Sequence, residues 1–264
     1  MDHFQRREGE LWAEDVPLAR IGREVGTPTY VYSQATILRH LRVFREAWEG
    51  TEHLVCYAMK ASSNLALLSL LARHGAGFDI VSGGELERVL RAGGDPSKVV
   101  FSGVGKTAGE IRRAIEVGIL SLNVESEGEL ALIDAIGREM GVQAPVSLRI
   151  NPDVDPRSHP YISTGLRENK FGIPWAQAPG LLERAVGMDG VRLVGLDCHI
   201  GSQLTEIEPL VEAMERLLVL VDDLKSRGVT IGHIDIGRTA TTRIIRTIRT
   251  TRTTRTTRTT RTGR

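Results

Sequence analysis

The chain has 264 residues, 41% apolar and 25% charged, enough for one large domain or two small ones and ordinary for a globular protein. The opening MDHFQRREGELW holds no apolar run, and no stretch of about 18 apolar residues occurs, so neither a secretory signal nor a membrane span is expected and the cytoplasm is the expected compartment. The net charge of +1 conceals a split: from Arg238 onward there are nine arginines and no acid, which leaves 25 basic against 33 acidic residues, about −8, on residues 1–237.

In chain order, TPTYVYS reads as a short strand opening on Pro28, and Ser33 caps a helix running to about Trp48. HLVCYAMK is a strand, NLALLSLLARHG a helix ended by Gly75, and FDIVS a strand. Ser82 and Glu85 stand at capping-box spacing before a helix that runs to RAGG. VVFSG is a strand, a helix spans about Thr107 to Glu116, and LSLNV is a strand. Ser126 and Glu129 repeat the capping spacing before the helix SEGELALIDAIGREMG, and PVSLRINP is the next strand. An irregular stretch follows, about Asp153 to Ile173, then a helix from near Pro174 and the strand VRLVGLDCHIG. Ile207, Leu210, Val211, Met214, Leu217, Leu218, Val221 and Leu224 fall at helical intervals and predict one buried face, ended by Gly228. TIGHIDIG is the last strand of the body. Cys56 and Cys198 both sit in apolar strand-like runs and read as buried thiols, not as a disulfide framework.

Strands rich in Val, Ile and Leu that alternate with helices imply a parallel sheet covered by helices. An eight-stranded barrel of this kind takes about 250 residues. A doubly wound open sheet shows the same alternation. In either architecture ligands bind at the carboxyl ends of the strands. The polar residues there are Lys60, Asp79, Arg149, Asn151, His199, Ser202, Gln203, Asp235 and Gly237. A partly desolvated lysine forms a Schiff base readily, a histidine can lie flat on a ring, and amides at a glycine-containing turn hold phosphate. Together they suit pyridoxal 5'-phosphate. Arg149 and Asp79 read equally well as members of an ion pair across the mouth, and are candidates to pair with each other. His53 and His233, at strand starts, read as structural, and Asp153 and Asp155 as solvated loop acids rather than metal ligands.

The motifs CYAMKAS, GFDIVSGGEL, FSGVGKT, LRINPDVD, HPYISTGLRENKFGI, GLDCHIGSQ and HIDIG resemble the barrel domain of the diaminopimelate decarboxylase family. That family belongs to the barrel-type pyridoxal phosphate decarboxylases, whose other members act on ornithine and arginine. The long HPYISTGLRENKFGI stretch is similar to the diaminopimelate branch in particular. The resemblance implies an incomplete TIM-type (β/α)8 barrel of about seven strands. It implies that Lys60 is the Schiff-base lysine and that His199 stacks on the pyridine ring. Ser202 helps hold the phosphate, Gly237 opens the phosphate-binding turn, and Asp79 and Arg149 orient lysine and cofactor. The reaction implied is loss of carbon dioxide from meso-2,6-diaminopimelate to give L-lysine, with turnover expected to be impaired or lost in this chain; the family forms homodimers, an assembly not expected of this chain. The alternatives are a decarboxylase of another basic amino acid, ornithine or arginine, and a non-catalytic fragment that binds pyridoxal phosphate or nucleic acid.

The resemblance also marks departures. The family continues the DIG motif with further glycines, where this chain has Arg238 and Thr239. No eighth strand, later Glu-Pro-Gly-Arg turn or carboxyl-terminal β-domain follows. Three parts are therefore expected: an amino-terminal segment, residues 1–32, whose strand pairs with that β-domain in the family; a partial barrel, 33–237; and an Arg/Thr-rich tail without order, 238–264. The tail has little apolar content and repeats RTT with period three. A basic arm that binds nucleic acid through charge alone, or a shifted reading frame beginning after Gly237, accounts for it; the break inside a motif favours the second.

Overall fold

The computed structural model describes residues 3–155, 171–201 and 206–237, and the backbone of 242–247. The amino terminus forms a small antiparallel sheet, β1 (Phe4–Arg7), β2 (Glu10–Ala13) and β3 (Val16–Pro17), followed by α1 (Leu18–Val25). The expected strand TPTYVYS does not form. Residues 26–33 bend at Thr27 and Pro28 and join no sheet, with Tyr30 and Tyr32 exposed. Its β-branched and aromatic content favours extended backbone, but a strand needs a neighbour to bond.

Strand and helix then alternate as expected: α2 (Gln34–Glu46), β4 (His53–Ala58), α3 (Leu65–Arg73), β5 (Gly77–Ile80), α4 (Gly83–Arg91), β6 (Val99–Phe101), α5 (Ala108–Val117), β7 (Ser121–Val124), α6 (Glu127–Met140) and β8 (Ala144–Asn151). A two-residue strand β9 (Ile173–Pro174) leads to α7 (Ala178–Val186), β10 (Val191–Asp197), α8 (Glu208–Ser226) and β11 (His233–Asp235). The caps read from sequence are present: Ser33, Ser82 and Ser126 each accept a backbone N–H from the first turn of their helix. Thr107 and Glu110 make a full reciprocal box.

Strands β4, β5, β6, β7, β8, β10 and β11 are parallel neighbours in that order, the incomplete TIM-type barrel expected. The gap between β11 and β4 is filled by a segment expected to be without order. Residues Thr242–Thr247 form β12, antiparallel to both neighbours, with Asp235 opposite Ile245 and Tyr57 opposite Thr242. Two unpaired edges offer two rows of backbone partners, and TRIIRT holds enough β-branched residues to take them. The rest of the tail, like His159, Tyr161 and Ser202, lies outside the described residues.

Alternation along the strands sorts side chains between two environments. Phe78, Ile80, Leu122, Val124, Val146, Leu148, Ile150 and Ile234 point outward into the apolar layer beneath the helices. Ser121, Asn123, Ser147, Arg149, His233 and Asp235, on the alternate positions, are buried inside the barrel, where Ser121, Asn123 and Asp235 form one bonded group and Ser147 and His233 another. Cys56 and Val100 make a separate small apolar cluster, and Cys56 and Cys198 are buried and form no disulfide.

The buried face of α8 includes the expected Leu217, Val221 and Leu224, with Leu210 and Met214 packed against the core, and differs from the expected face elsewhere. Pro209, Ala213, Leu217, Leu220, Val221 and Leu224 face inward, whereas Ile207, Val211 and Leu218 are exposed. The helix is apolar on more than one side, so periodicity alone underdetermines its rotation. At α6 the packing is close enough to demand a glycine. A Cβ on Gly137 would lie 1.9 Å from the Gly190 carbonyl oxygen, and Gly190 in turn donates its N–H to Asp134 Oδ1 at 2.8 Å. Gly137→Ala is expected to cost about 1–3 kcal/mol despite the higher helix propensity of alanine, measured as a lowered melting midpoint. A neutral or stabilising result would mean the helix can move away from the loop.

Candidate active site at the carboxyl rim of the barrel

Parallel strands in a closed ring put all their carboxyl ends on one rim. Lys60 lies there, exposed, in the single turn Met59–Ala61 that follows β4 rather than on the strand itself. Asp79 is buried in β5, Arg149 buried in β8, His199 half-buried just after β10, and Gly237 buried just after β11. Asn151 is buried at the end of β8. Ser202 and Gln203 fall outside the described residues.

Asp79 and Arg149 do not pair with each other. Arg149 Nη1 donates to Glu125 Oε1 at 2.7 Å, and its Nε stands 3.9 Å from Asp197 Oδ2. Two carboxylates against one guanidinium is a strong reason for this choice, because both acids are buried. The face of Phe171 lies 5.5 Å from the same guanidinium. Asp79 Oδ1 instead accepts the Ser102 hydroxyl at 2.7 Å. Near Lys60 and Asp79 sits Glu85. Burial holds its carboxyl above the usual carboxylate range, with the Asp79 charge adding to this, against the bond from Val81 N–H and the charge of Lys60.

His199 is fixed by its backbone surroundings. Its Nδ1 lies 3.0 Å from the Gly237 carbonyl oxygen. A carbonyl only accepts, so Nδ1 carries the hydrogen. The Gly237 N–H donates to Asp235 Oδ1 at 3.1 Å, and Asp235 Oδ2 accepts from Asn123 Nδ2 at 3.2 Å. Asn123 Nδ2 also lies 3.3 Å from Ser102 Oγ, and Ser121 donates to Asn123 Oδ1 at 3.1 Å. One layer deeper, Ser147 Oγ and His233 Nε2 are 2.9 Å apart. Burial pushes the His233 imidazole down to about 4, with Asp197 opposing.

Four polar residues of this rim carry more than strand-end position suggested: Ser102, Asn123, Glu125 and Lys106. Lys106 is buried and donates to the Gly103 carbonyl at 2.7 Å, the Asn123 carbonyl at 2.8 Å and Glu129 Oε1 at 2.6 Å. Glu129 Oε2 accepts from Glu125 N–H at 2.9 Å, so the helix-capping acid is also the partner of a buried cation. Glu125 Oε1 takes Gly103 N–H at 3.0 Å beside the Arg149 bond. The available signal was the alternation of polar with apolar residues in SLNV and VSLRIN: a strand buried on both faces has no use for alternating polar side chains unless they meet in a lumen.

A helix-wrapped parallel barrel with a lysine, a tethered histidine and a buried arginine–carboxylate set on its carboxyl rim defines a class: a barrel that receives a small charged ligand at its mouth. Residues 34–249 match the family described as pyridoxal-dependent decarboxylase, pyridoxal binding domain, and the chain belongs to that family. It is 59% identical over 237 residues to the diaminopimelate decarboxylase of Pseudomonas aeruginosa and 56% identical over 238 residues to that of Vibrio cholerae. Each alignment covers 90% of this chain and 57% of the relative. The chain thus spans a little over half the length of the relatives it matches. A crystal structure of diaminopimelate decarboxylase from Helicobacter pylori complexed with L-lysine superposes with a TM-score of 0.80 at 42% identity, over 83% of this chain and 56% of that one.

The residues present fit the aldehyde and ring of a pyridoxal group. An exposed amine stands on the rim, and an imidazole of fixed tautomer stands on it too. The phosphate end is less well served by Gly237 than expected, because its N–H is already engaged by Asp235. No described helix is long and apolar enough to cross a membrane.

Proposed function

We propose that this chain is the cofactor-binding barrel of a diaminopimelate decarboxylase that forms L-lysine from meso-2,6-diaminopimelate in the cytoplasm, with turnover weak or absent in the chain as it stands. The observation that carries the reading is the placement of Lys60 and His199 on one rim, in a chain 59% identical to a diaminopimelate decarboxylase over 237 residues. Pyridoxal phosphate, when bound, supplies an aldehyde for an amine and a ring that takes up the electrons left by carbon dioxide. Lys60 presents its amine to that aldehyde. His199, with Nδ1 tied to the Gly237 carbonyl, offers a ring of fixed plane to the face of the pyridine. Arg149, held by Glu125 and Asp197, and Asp79, held by Ser102, set the charge around the lysine. Ser202 and the turn opened by Gly237 are assigned to the phosphate. The engaged Gly237 amide supports the weak turnover, and so does the sequence, which has Arg238 and Thr239 where the family has glycines. The homodimer that the resemblance implies for the family is not assigned to the chain as it stands.

Borohydride reduction of the chain mixed with pyridoxal phosphate, followed by peptide mass mapping, tests this reading. The label is expected on Lys60 and is expected to vanish in Lys60→Ala while the circular dichroism spectrum is kept. Label spread over the other lysines, and unchanged in that variant, would remove the assignment.

A further inference from the structure

We propose that Asn123 is a positioning residue which ties the Lys60 side of the rim to the His199 side across the inside of the barrel. This deepens the reading of Lys60 and His199 as cofactor residues and rests on it. Asn123 is fully buried on β7, and its side chain has three polar neighbours drawn from three places in the ring. Its Nδ2 lies 3.2 Å from Asp235 Oδ2 on β11 and 3.3 Å from Ser102 Oγ just after β6, and its Oδ1 accepts from Ser121. The amide can sit only one way round, since the flipped group would turn its oxygen to the Asp235 carboxylate.

Two branches leave it. One runs through Ser102 to Asp79, which stands opposite Ala58 in the β4–β5 ladder, immediately before the turn that carries Lys60. The other runs through Asp235 to the Gly237 N–H, and the Gly237 carbonyl then accepts from His199 Nδ1. β7 and β11 are not neighbours in the sheet, so the Asn123–Asp235 bond spans the lumen rather than a ladder. A core that needed only volume here would place an apolar residue, because burying an amide with a carboxylate gains little stability. What the arrangement fixes is geometry: the Asp235 carboxylate holds the Gly237 N–H on one side of its Cα, and the Gly237 carbonyl on the other side holds Nδ1 of His199, so the coupling runs through the backbone of that one residue.

The test uses Asn123→Asp, close in shape but with an oxygen facing Asp235 in place of the donor. The first readout is the 15N spectrum of the histidine side chains without cofactor, with His199 assigned from a His199→Gln variant. In the unaltered chain Nδ1 of His199 is expected to be the protonated nitrogen. In Asn123→Asp that preference is expected to be lost, and the yield of borohydride-fixed label on Lys60 to fall at least tenfold. The exchange Asn123→Asp with Asp235→Asn restores a donor–acceptor pair across the lumen but not the donor to Ser102. It is expected to restore the His199 tautomer while the Lys60 label stays low. Should Asn123→Asp fail to fold, Asn123→Ser, too short to reach Asp235, carries the same expectation for His199. A folded variant at position 123 with the His199 signals and Lys60 labelling of the unaltered chain overturns the proposal. Failure to label Lys60 in the unaltered chain instead strikes the cofactor reading, and leaves the His199 result to be judged by itself.

Discussion

Lys106→Met is expected to lower the unfolding free energy by about 3–5 kcal/mol, the cost of stripping a buried ion pair of one partner. The lysine side chain is 1% exposed and Glu129, its partner at 2.6 Å, is 9% exposed. Methionine fills a similar volume, so the loss isolates charge and hydrogen bonding from packing. It leaves Glu129 Oε1 without its cation and takes the donor from the Gly103 and Asn123 carbonyls, both at the carboxyl rim. Lys106→Met/Glu129→Gln should recover a large part of the loss, because no unpaired charge then remains. Urea unfolding at neutral pH measures both. A single variant within 1 kcal/mol of the unaltered chain would show that the rim loops relax and let water reach Glu129.

Acid is expected to weaken the protein through His233 before most of its carboxylates titrate. The imidazole is ordinarily near 6.5 and stands at about 4 in the fold, lowered by burial. A depressed value means the folded state holds the neutral ring. The contribution is complete above 6.5 and is lost as the pH falls from there towards 4, since the unfolded chain takes up the proton first. A gap of this size corresponds to about 3 kcal/mol. Gln in place of His233 keeps an amide within reach of Ser147 and does not titrate. The unaltered chain should therefore lose about 3 kcal/mol more than His233→Gln between pH 7.5 and pH 4, by urea unfolding at each pH. Equal losses would place the acid sensitivity elsewhere.

Much of the barrel was legible because its helices and strands differ in period and are separated by caps. Ser33, Ser82 and Ser126 marked helix starts, and the alternation of elements pointed to parallel pairing. The two cysteines read correctly as buried thiols. What failed, failed where a local signal was made to stand for a tertiary partner. TPTYVYS has strand-forming residues but no neighbouring strand to bond. Residues 242–247 look like part of a polar repeat, yet two open edges supply the pairing that their own composition does not demand. At the rim, strand-end position found Lys60, Asp79, Arg149, His199 and Gly237. It could not say that Arg149 would choose Glu125 and Asp197 over Asp79, because that depends on which carboxylates the ring brings within reach. Lys106 and Asn123 escaped notice since neither ends a strand in a way that sequence marks, and both take their meaning from partners far along the chain.

The antiparallel strand that seals the ring has a consequence for how the protein is made. Its partner β4 is made before the intervening strands and helices of the ring, while residues 242–247 are made only after them. During synthesis, then, the nascent barrel carries two raw flanks for as long as the intervening chain takes to appear, at roughly 5–20 residues per second. Any other extended segment in that crowded setting competes for the same backbone groups, so yield in the cell depends on how quickly the sealing strand arrives.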